Sequence, residues 1–158
     1  MTIPIGIDLG TTYSCVMHIT NEGTDTVIES ADGKELTPSV VYFGENGDVV
    51  VGERAKARLT EDAENVVVGI KRQMGKGFPL EYHGNGYTPE GVSGIILRRL
   101  AQDAAEQLSV GVDDLAAVVT VPAYFGVGER EATFAAANIA GLRCLELIPE
   151  PVAAAYAY

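Results

Sequence analysis

Residues 5–16 read Ile5-Gly6-Ile7-Asp8-Leu9-Gly10-Thr11-Thr12-Tyr13-Ser14-Cys15-Val16. An apolar run over residues 3–8 ends on an acid, breaks at Gly10, and gives way to alternating, β-branched residues over 13–19. That is the pattern of two strands joined by a turn too short for anything but a hairpin. The strands are therefore antiparallel. A third strand is predicted over 24–29, after the turn Asn21-Glu22-Gly23. Such a meander differs from the phosphate loop that runs from a strand into a helix. The turn still has chemistry in it. Gly10 lets the backbone bend sharply and approach a ligand closely. The amides of Thr11, Thr12 and Tyr13 can form an anion-binding nest. Asp8 beside them suits a hydrated Mg²⁺, which takes few carboxylates. A bare Asp-x-Gly-Thr fits an ordinary hairpin on an acidic strand end equally well; the full stretch from Gly6 to Tyr13 favours the nest.

Outward from this hairpin the pattern changes. Residues 31–86 hold short strands at 40–43 and 49–51, a polar helix near 52–60, a mixed segment over 66–74 and a Gly-rich stretch, and read as an inserted α+β subdomain. Thr88-Pro89-Glu90 then opens a helix with a cap hydroxyl, Pro in the first turn and an acid on the dipole. Val92, Ile95, Ile96, Leu100, Ala104 and Leu108 mark its apolar face. A buried strand is predicted at 115–121, a helix at 129–140 ended by Gly141, a strand at 142–148 and an Ala-rich helix at 152–158. Three meander strands followed by helix, strand, helix, strand and helix make an α/β protein. Right-handed crossovers lay the last two strands parallel to the first, giving a five-stranded mixed sheet with flanking helices.

Composition narrows the partners. Eleven Lys and Arg face 22 Asp and Glu in 158 residues, a net charge of −11. A phosphate backbone needs a basic surface, so nucleic acid is excluded as a partner. No apolar run approaches the roughly 20 residues that cross a bilayer, so no membrane partner is expected. Cys15 and Cys144 make no disulfide framework, and the start Met1-Thr2-Ile3-Pro4 lacks the basic region of a secretory signal, so the chain is expected to be cytoplasmic. Six of the eleven cations lie between Arg54 and Lys76, whereas the first 50 residues hold one, Lys34, against eight acids. A small anion must therefore be held by backbone amides, a metal or that middle segment. Lys71-Arg72 lies there; alone, two adjacent bases usually mark a solvated face, while a lysine facing a phosphate stabilises charge developing in transfer. Glu150, in Pro149-Glu150-Pro151, could orient a water, although an acid at a helix N-terminus needs no such role. His18 and His83 lack ligand spacing, and Cys15 reads as core.

Taken together, several segments resemble the DnaK-type, seventy-kilodalton heat-shock chaperones. They are the opening stretch, Leu36-Thr37-Pro38-Ser39-Val40-Val41, Val51-Gly52-Glu53-Arg54-Ala55-Lys56, Lys71-Arg72, Val118-Val119-Thr120-Val121-Pro122-Ala123-Tyr124-Phe125, Ile139-Ala140-Gly141-Leu142 and Glu150-Pro151-Val152-Ala153-Ala154-Ala155. They follow the family's order across nearly the whole chain.

The resemblance implies the actin-like, ribonuclease-H-like ATPase fold, with ATP or ADP and Mg²⁺ in a cleft between two lobes. It implies that Asp8 meets Mg²⁺ through water and that Gly10, Thr11, Thr12 and Tyr13 form the first phosphate loop. Lys71 would reach the transferred phosphate, and Glu150 would help to place metal water and nucleophile. Pro122 and Arg130 would relay nucleotide state towards a peptide-binding domain. The expected parent hydrolyses ATP to drive cycles of binding unfolded polypeptides, with co-chaperones as partners. An actin-like filament protein or a sugar kinase is the alternative. Gly126-Val127-Gly128 departs from the family's usual Asn-Asp helix start, and Pro149 and Val152 stand where Asn and Thr are common. The second phosphate loop, the second lobe and the peptide-binding domain have no counterpart in these residues. Residues 1–158 are therefore expected to form lobe I, with a core sheet over 1–30 and 87–158 and the inserted subdomain over about 31–86, supplying half of the nucleotide cleft and inactive alone.

Overall fold

A computed structural model describes residues 2–20, 22, 25–77 and 79–149. The opening hairpin is β1 (Ile3–Leu9) and β2 (Tyr13–His18), followed by β3 (Thr26–Ile28), β4 (Thr37–Pro38), β5 (Val40–Phe43) and β6 (Val49–Val51). Next come α1 (Glu53–Ala57), β7 (Val66–Val68), a 3₁₀ turn at Ile70–Gln73, β8 (Leu80–Tyr82) and β9 (Asn85–Tyr87). The chain continues through α2 (Pro89–Leu108), β10 (Leu115–Val121), α3 (Val127–Ile139) and β11 (Arg143–Pro149). The helix expected over 152–158 and residue Glu150 lie outside the described residues.

The main sheet runs β11-β10-β1-β2-β3. β1 is parallel to β10, from Ile3↔Leu115 to Asp8↔Thr120, and antiparallel to β2, from Ile5↔His18 to Leu9↔Ser14. β11 lies parallel to β10, as the helical connections require. The expected five-stranded mixed sheet is thus present, with one addition: β4 pairs with β2. Two residues carry no alternation, so nothing in the sequence marks β4 as a strand. A second sheet, β6-β5-β7, and the hairpin β8-β9 occupy the middle of the chain.

Helix α2 begins as its sequence dictates. Thr88 Oγ1 accepts from the Gly91 amide at 3.0 Å, and Pro89 takes the first turn. Its buried face, Val92, Ile96, Leu97, Leu100 and Ala104, packs in one core with Ile5, Ile7 and Val16 of the hairpin and Val119 of β10. Val41, Phe43, Val67, Ile70 and Met74 from the middle of the chain join that same core. Helix α3 starts two residues earlier than expected. Gly126 has no side chain to cap with, but Glu129 Oε2 reaches back to the Gly126 amide at 3.0 Å, the reciprocal half of a capping box. It ends at Gly141, whose φ is 71°, with Leu142 and Gly141 amides bonded to the Ala137 and Asn138 carbonyls. The two helices meet at Gly94, where a Cβ would lie 2.9 Å from Ile139 Cγ2 and 3.0 Å from the Ala136 carbonyl oxygen.

Candidate functional site

Because β1 and β10 are parallel and adjacent, their C-terminal ends open side by side, the place where open α/β sheets bind ligands. Asp8 stands there, exposed, and accepts from Thr120 Oγ1 at 2.8 Å through Oδ1. Thr120 carried no signal in sequence, being one polar residue in an apolar strand; only the register Asp8↔Thr120 exposes its role. Cys15 pairs with Asp8 across the hairpin and so shares its face. It is half-buried and outside the core, which corrects the reading of Cys15 as a core residue. Burial, and then the Asp8 charge, push its thiol above the usual range.

The turn after β1 is tightly closed. A Cβ on Gly10 would sit 2.0 Å from the Tyr13 carbonyl oxygen, while the φ of Gly10 is not positive. Glycine is needed here for closeness within the turn itself. Ser39, just past β4, holds the turn from behind: its Oγ donates to the Gly10 carbonyl at 2.8 Å and its amide to the Thr12 carbonyl at 2.9 Å. Lys56 Nζ donates to the Tyr13 hydroxyl at 3.0 Å and lies 5.2 Å from the ring centre. That hydrogen bond holds the Lys56 ammonium above its usual range.

Thr11, Thr12, Ser39, Lys56, Gly69 and Arg72 line a cavity of about 230 Å³ beside this turn. Lys71 and Arg72 share the Ile70–Gln73 turn but differ in setting. Arg72 is exposed and borders the cavity; Lys71 is only 5 % exposed and is not among its lining residues. Lys56 therefore joins Arg72 as a cation beside the turn, and the sequence marked Lys56 only as part of a segment. A larger cavity, about 460 Å³, lies between α2 and β6 with Arg54, Arg98, Arg99 and Asp103 on its walls, and none of the expected site residues borders it. The smaller cavity, bordered by Thr11 and Thr12 of the turn, is the candidate site.

Asp8 fits a hydrated Mg²⁺: one oxygen is engaged by Thr120 and the exposed carboxylate faces the strand ends. No group of three or more His, Cys, Asp or Glu side chains assembles among the described residues. Nor is any described helix long and apolar enough to cross a membrane. His83 bonds the Phe43 carbonyl through Nε2 at 2.9 Å.

The family model for "Hsp70 protein" matches residues 4–82 and 79–158. The chain belongs to the Hsp70 family. Over 154 residues, 98% of its length, it is 44% identical to the chaperone protein DnaK of Thermotoga neapolitana, and equally so to those of Thermotoga petrophila and Thermotoga sp. strain RQ2. It spans about a quarter of the length of these relatives, 26% of each. Hsp70 membership carries the actin-like ATPase fold, with which the mixed sheet agrees, and disfavours the filament protein and the sugar kinase.

In this Hsp70 chain the expected relay pair lies at the C-terminal end of β10, the same strand end that carries Thr120 beside Asp8. Pro122 is buried directly after the Val121↔Pro149 pair, and Arg130 Nη2 donates to the Leu147 carbonyl of β11 at 3.2 Å. Both thus flank the end of β11, just before Glu150. The Hsp70-like loop at Gly10–Tyr13 and Asp8 are brought together at the ends of β1 and β10, as the spacing requires.

Proposed function

We propose that these residues form lobe I of an ATP-binding chaperone domain, with a core sheet over 1–30 and 87–158 and an inserted subdomain over about 31–86. The observation that carries this is the juxtaposition of Asp8 with the closed Gly10–Tyr13 turn at the ends of two parallel strands, beside a cavity holding Lys56 and Arg72. The amides of Thr11, Thr12 and Tyr13 hold the β- and γ-phosphates of ATP, and Asp8 orders the waters of Mg²⁺. When bound, Mg²⁺ neutralises charge on those phosphates. Lys71 supplies fixed positive charge towards the transferred phosphate, and Glu150 positions the attacking water. Pro122 and Arg130 relay the nucleotide state. The whole protein hydrolyses ATP, turns that cycle into binding and release of unfolded polypeptides in the cytoplasm, and works with co-chaperones. The 44% identity to chaperones named DnaK supports this reading.

One wall of a cleft leaves the adenine and one side of the triphosphate uncontacted, so the 158-residue chain alone should hydrolyse ATP negligibly. Calorimetry with Mg-ATP on protein completed to the length of its Hsp70 relatives tests the reading. Saturable binding, with turnover abolished by Lys71→Ala, is the expected outcome; no heat at millimolar nucleotide refutes it.

A further inference from the structure

The proposed chemistry makes no use of Leu36-Thr37-Pro38-Ser39-Val40-Val41, yet this segment reaches the phosphate turn directly. β4 pairs with the start of β2 through Tyr13↔Pro38 and Ser14↔Thr37, which delivers Ser39 behind the turn. Ser39 is 3 % exposed and Ser14 1 %. Their hydroxyls lie 2.8 Å apart. Ser39 spends its only hydroxyl proton on the Gly10 carbonyl, so Ser14 is the donor between the two. A chain of hydrogen bonds thus runs from Ser14 to Ser39 to Gly10, each polarising the next. The Ser39 amide meanwhile holds the Thr12 carbonyl.

Peptide planarity turns these anchors into an aim. In a trans peptide the carbonyl and the following amide point in opposite directions. Fixing the Gly10 oxygen towards Ser39 sends the Thr11 N–H away from it. Fixing the Thr12 oxygen does the same for the Tyr13 N–H. We infer that Ser39, backed by Ser14, is a positioning residue that presents the Thr11 and Tyr13 amides to phosphate. The inference rests on the phosphate-binding reading of this turn. Ser39 acts through the backbone of the turn. Its carbonyl contacts set the direction of two donors that otherwise would each rotate with the turn, and donors held in place before binding lose less freedom when the anion arrives.

The test is amide NMR of the 158-residue chain titrated with inorganic pyrophosphate. In Ser39→Ala, the Thr11 and Tyr13 resonances should move before any ligand is added, while Leu97 and Leu100 in α2 stay in place. The dissociation constant for pyrophosphate, read at those two amides, should rise roughly tenfold. Ser39→Thr, which keeps the hydroxyl, should restore both readouts, and Ser14→Ala should give a smaller change of the same kind. If Ser39→Ala unfolds the chain, Ser14→Ala is read by the same two amides. Wild-type amide positions and wild-type affinity in these variants would overturn the positioning role while leaving the phosphate turn standing. No saturable response in the wild type would overturn the phosphate reading, and this inference with it.

Discussion

Replacing Gly10 by Ala should open the Gly10–Tyr13 turn at a cost that can be bounded. The new Cβ would lie 2.0 Å from the Tyr13 carbonyl oxygen. A carbon and a carbonyl oxygen approach no closer than about 3.3 Å without strain, so one must move by more than about 1 Å. The obstacle is backbone, and no side chain can swing aside to relieve it. If the turn opens, the two hydrogen bonds from Ser39 are lost at about 1 kcal/mol each. If it stays closed, overpacking strain of about 1–3 kcal/mol remains instead. Either route, or a mixture, destabilises by about 1–3 kcal/mol. A domain of ordinary stability, about 5–15 kcal/mol, survives that loss folded. Urea unfolding followed by circular dichroism reads the stability, and the amide resonances of Thr11 and Tyr13 read the turn. A midpoint within about 0.5 kcal/mol of wild type, with those amides unmoved, would show that the turn is not closed as described.

Other consequences can be checked separately. Asp103 is almost fully buried on α2, with Arg99 Nη2 2.8 Å from its Oδ1; burial outweighs that pairing and raises the carboxyl above its usual range, with Glu106 adding to the rise and the Ala31 amide opposing it. A raised folded pKa favours the folded state most below the unfolded value of about 3.9, and that benefit is lost as pH climbs through the folded value. The stability of Asp103→Asn relative to wild type should therefore rise from acid to neutral pH, and a flat or falling difference in urea midpoints counts against a raised carboxyl. Gly94→Ala gains about 1 kcal/mol of helix propensity but meets the Ala136 carbonyl, and overpacking of about 1–3 kcal/mol should win. A raised midpoint would show that exposed Ile139 yields and the helices have room. Glu129→Ala should cost about 0.5–1 kcal/mol by freeing the Gly126 amide, measured by the same unfolding assay; an unchanged midpoint would mean the reciprocal cap contributes nothing.

Much of the fold was legible because its signals are local. The hairpin, the α2 start at Thr88-Pro89-Glu90, the Gly141 stop and the strand at Leu115–Val121 each follow from neighbours within a few residues. The start of α3 was displaced by two residues because its cap comes from Glu129 inside the helix, and no residue before it announces the start. β4 went unseen because a two-residue strand has no period to read. Asp8 and the turn residues were legible as a candidate site, since their chemistry and their spacing lie in one stretch. Thr120, Ser39 and Lys56 were not: each reaches the site from another element, 112, 29 or 43 residues from the residue it bonds.

By itself, then, the sequence determined the class of element at most positions, the presence of a glycine turn after the first strand, and the family. Local propensity, periodicity and an unbroken motif need no knowledge of what lies across the molecule. Tertiary structure alone decided why Gly10 must be glycine, where the site's cations stand, and what holds the turn in shape. Those depend on strand register and on a carbonyl facing a serine delivered by β4, and distances through space are not written in distances along the chain.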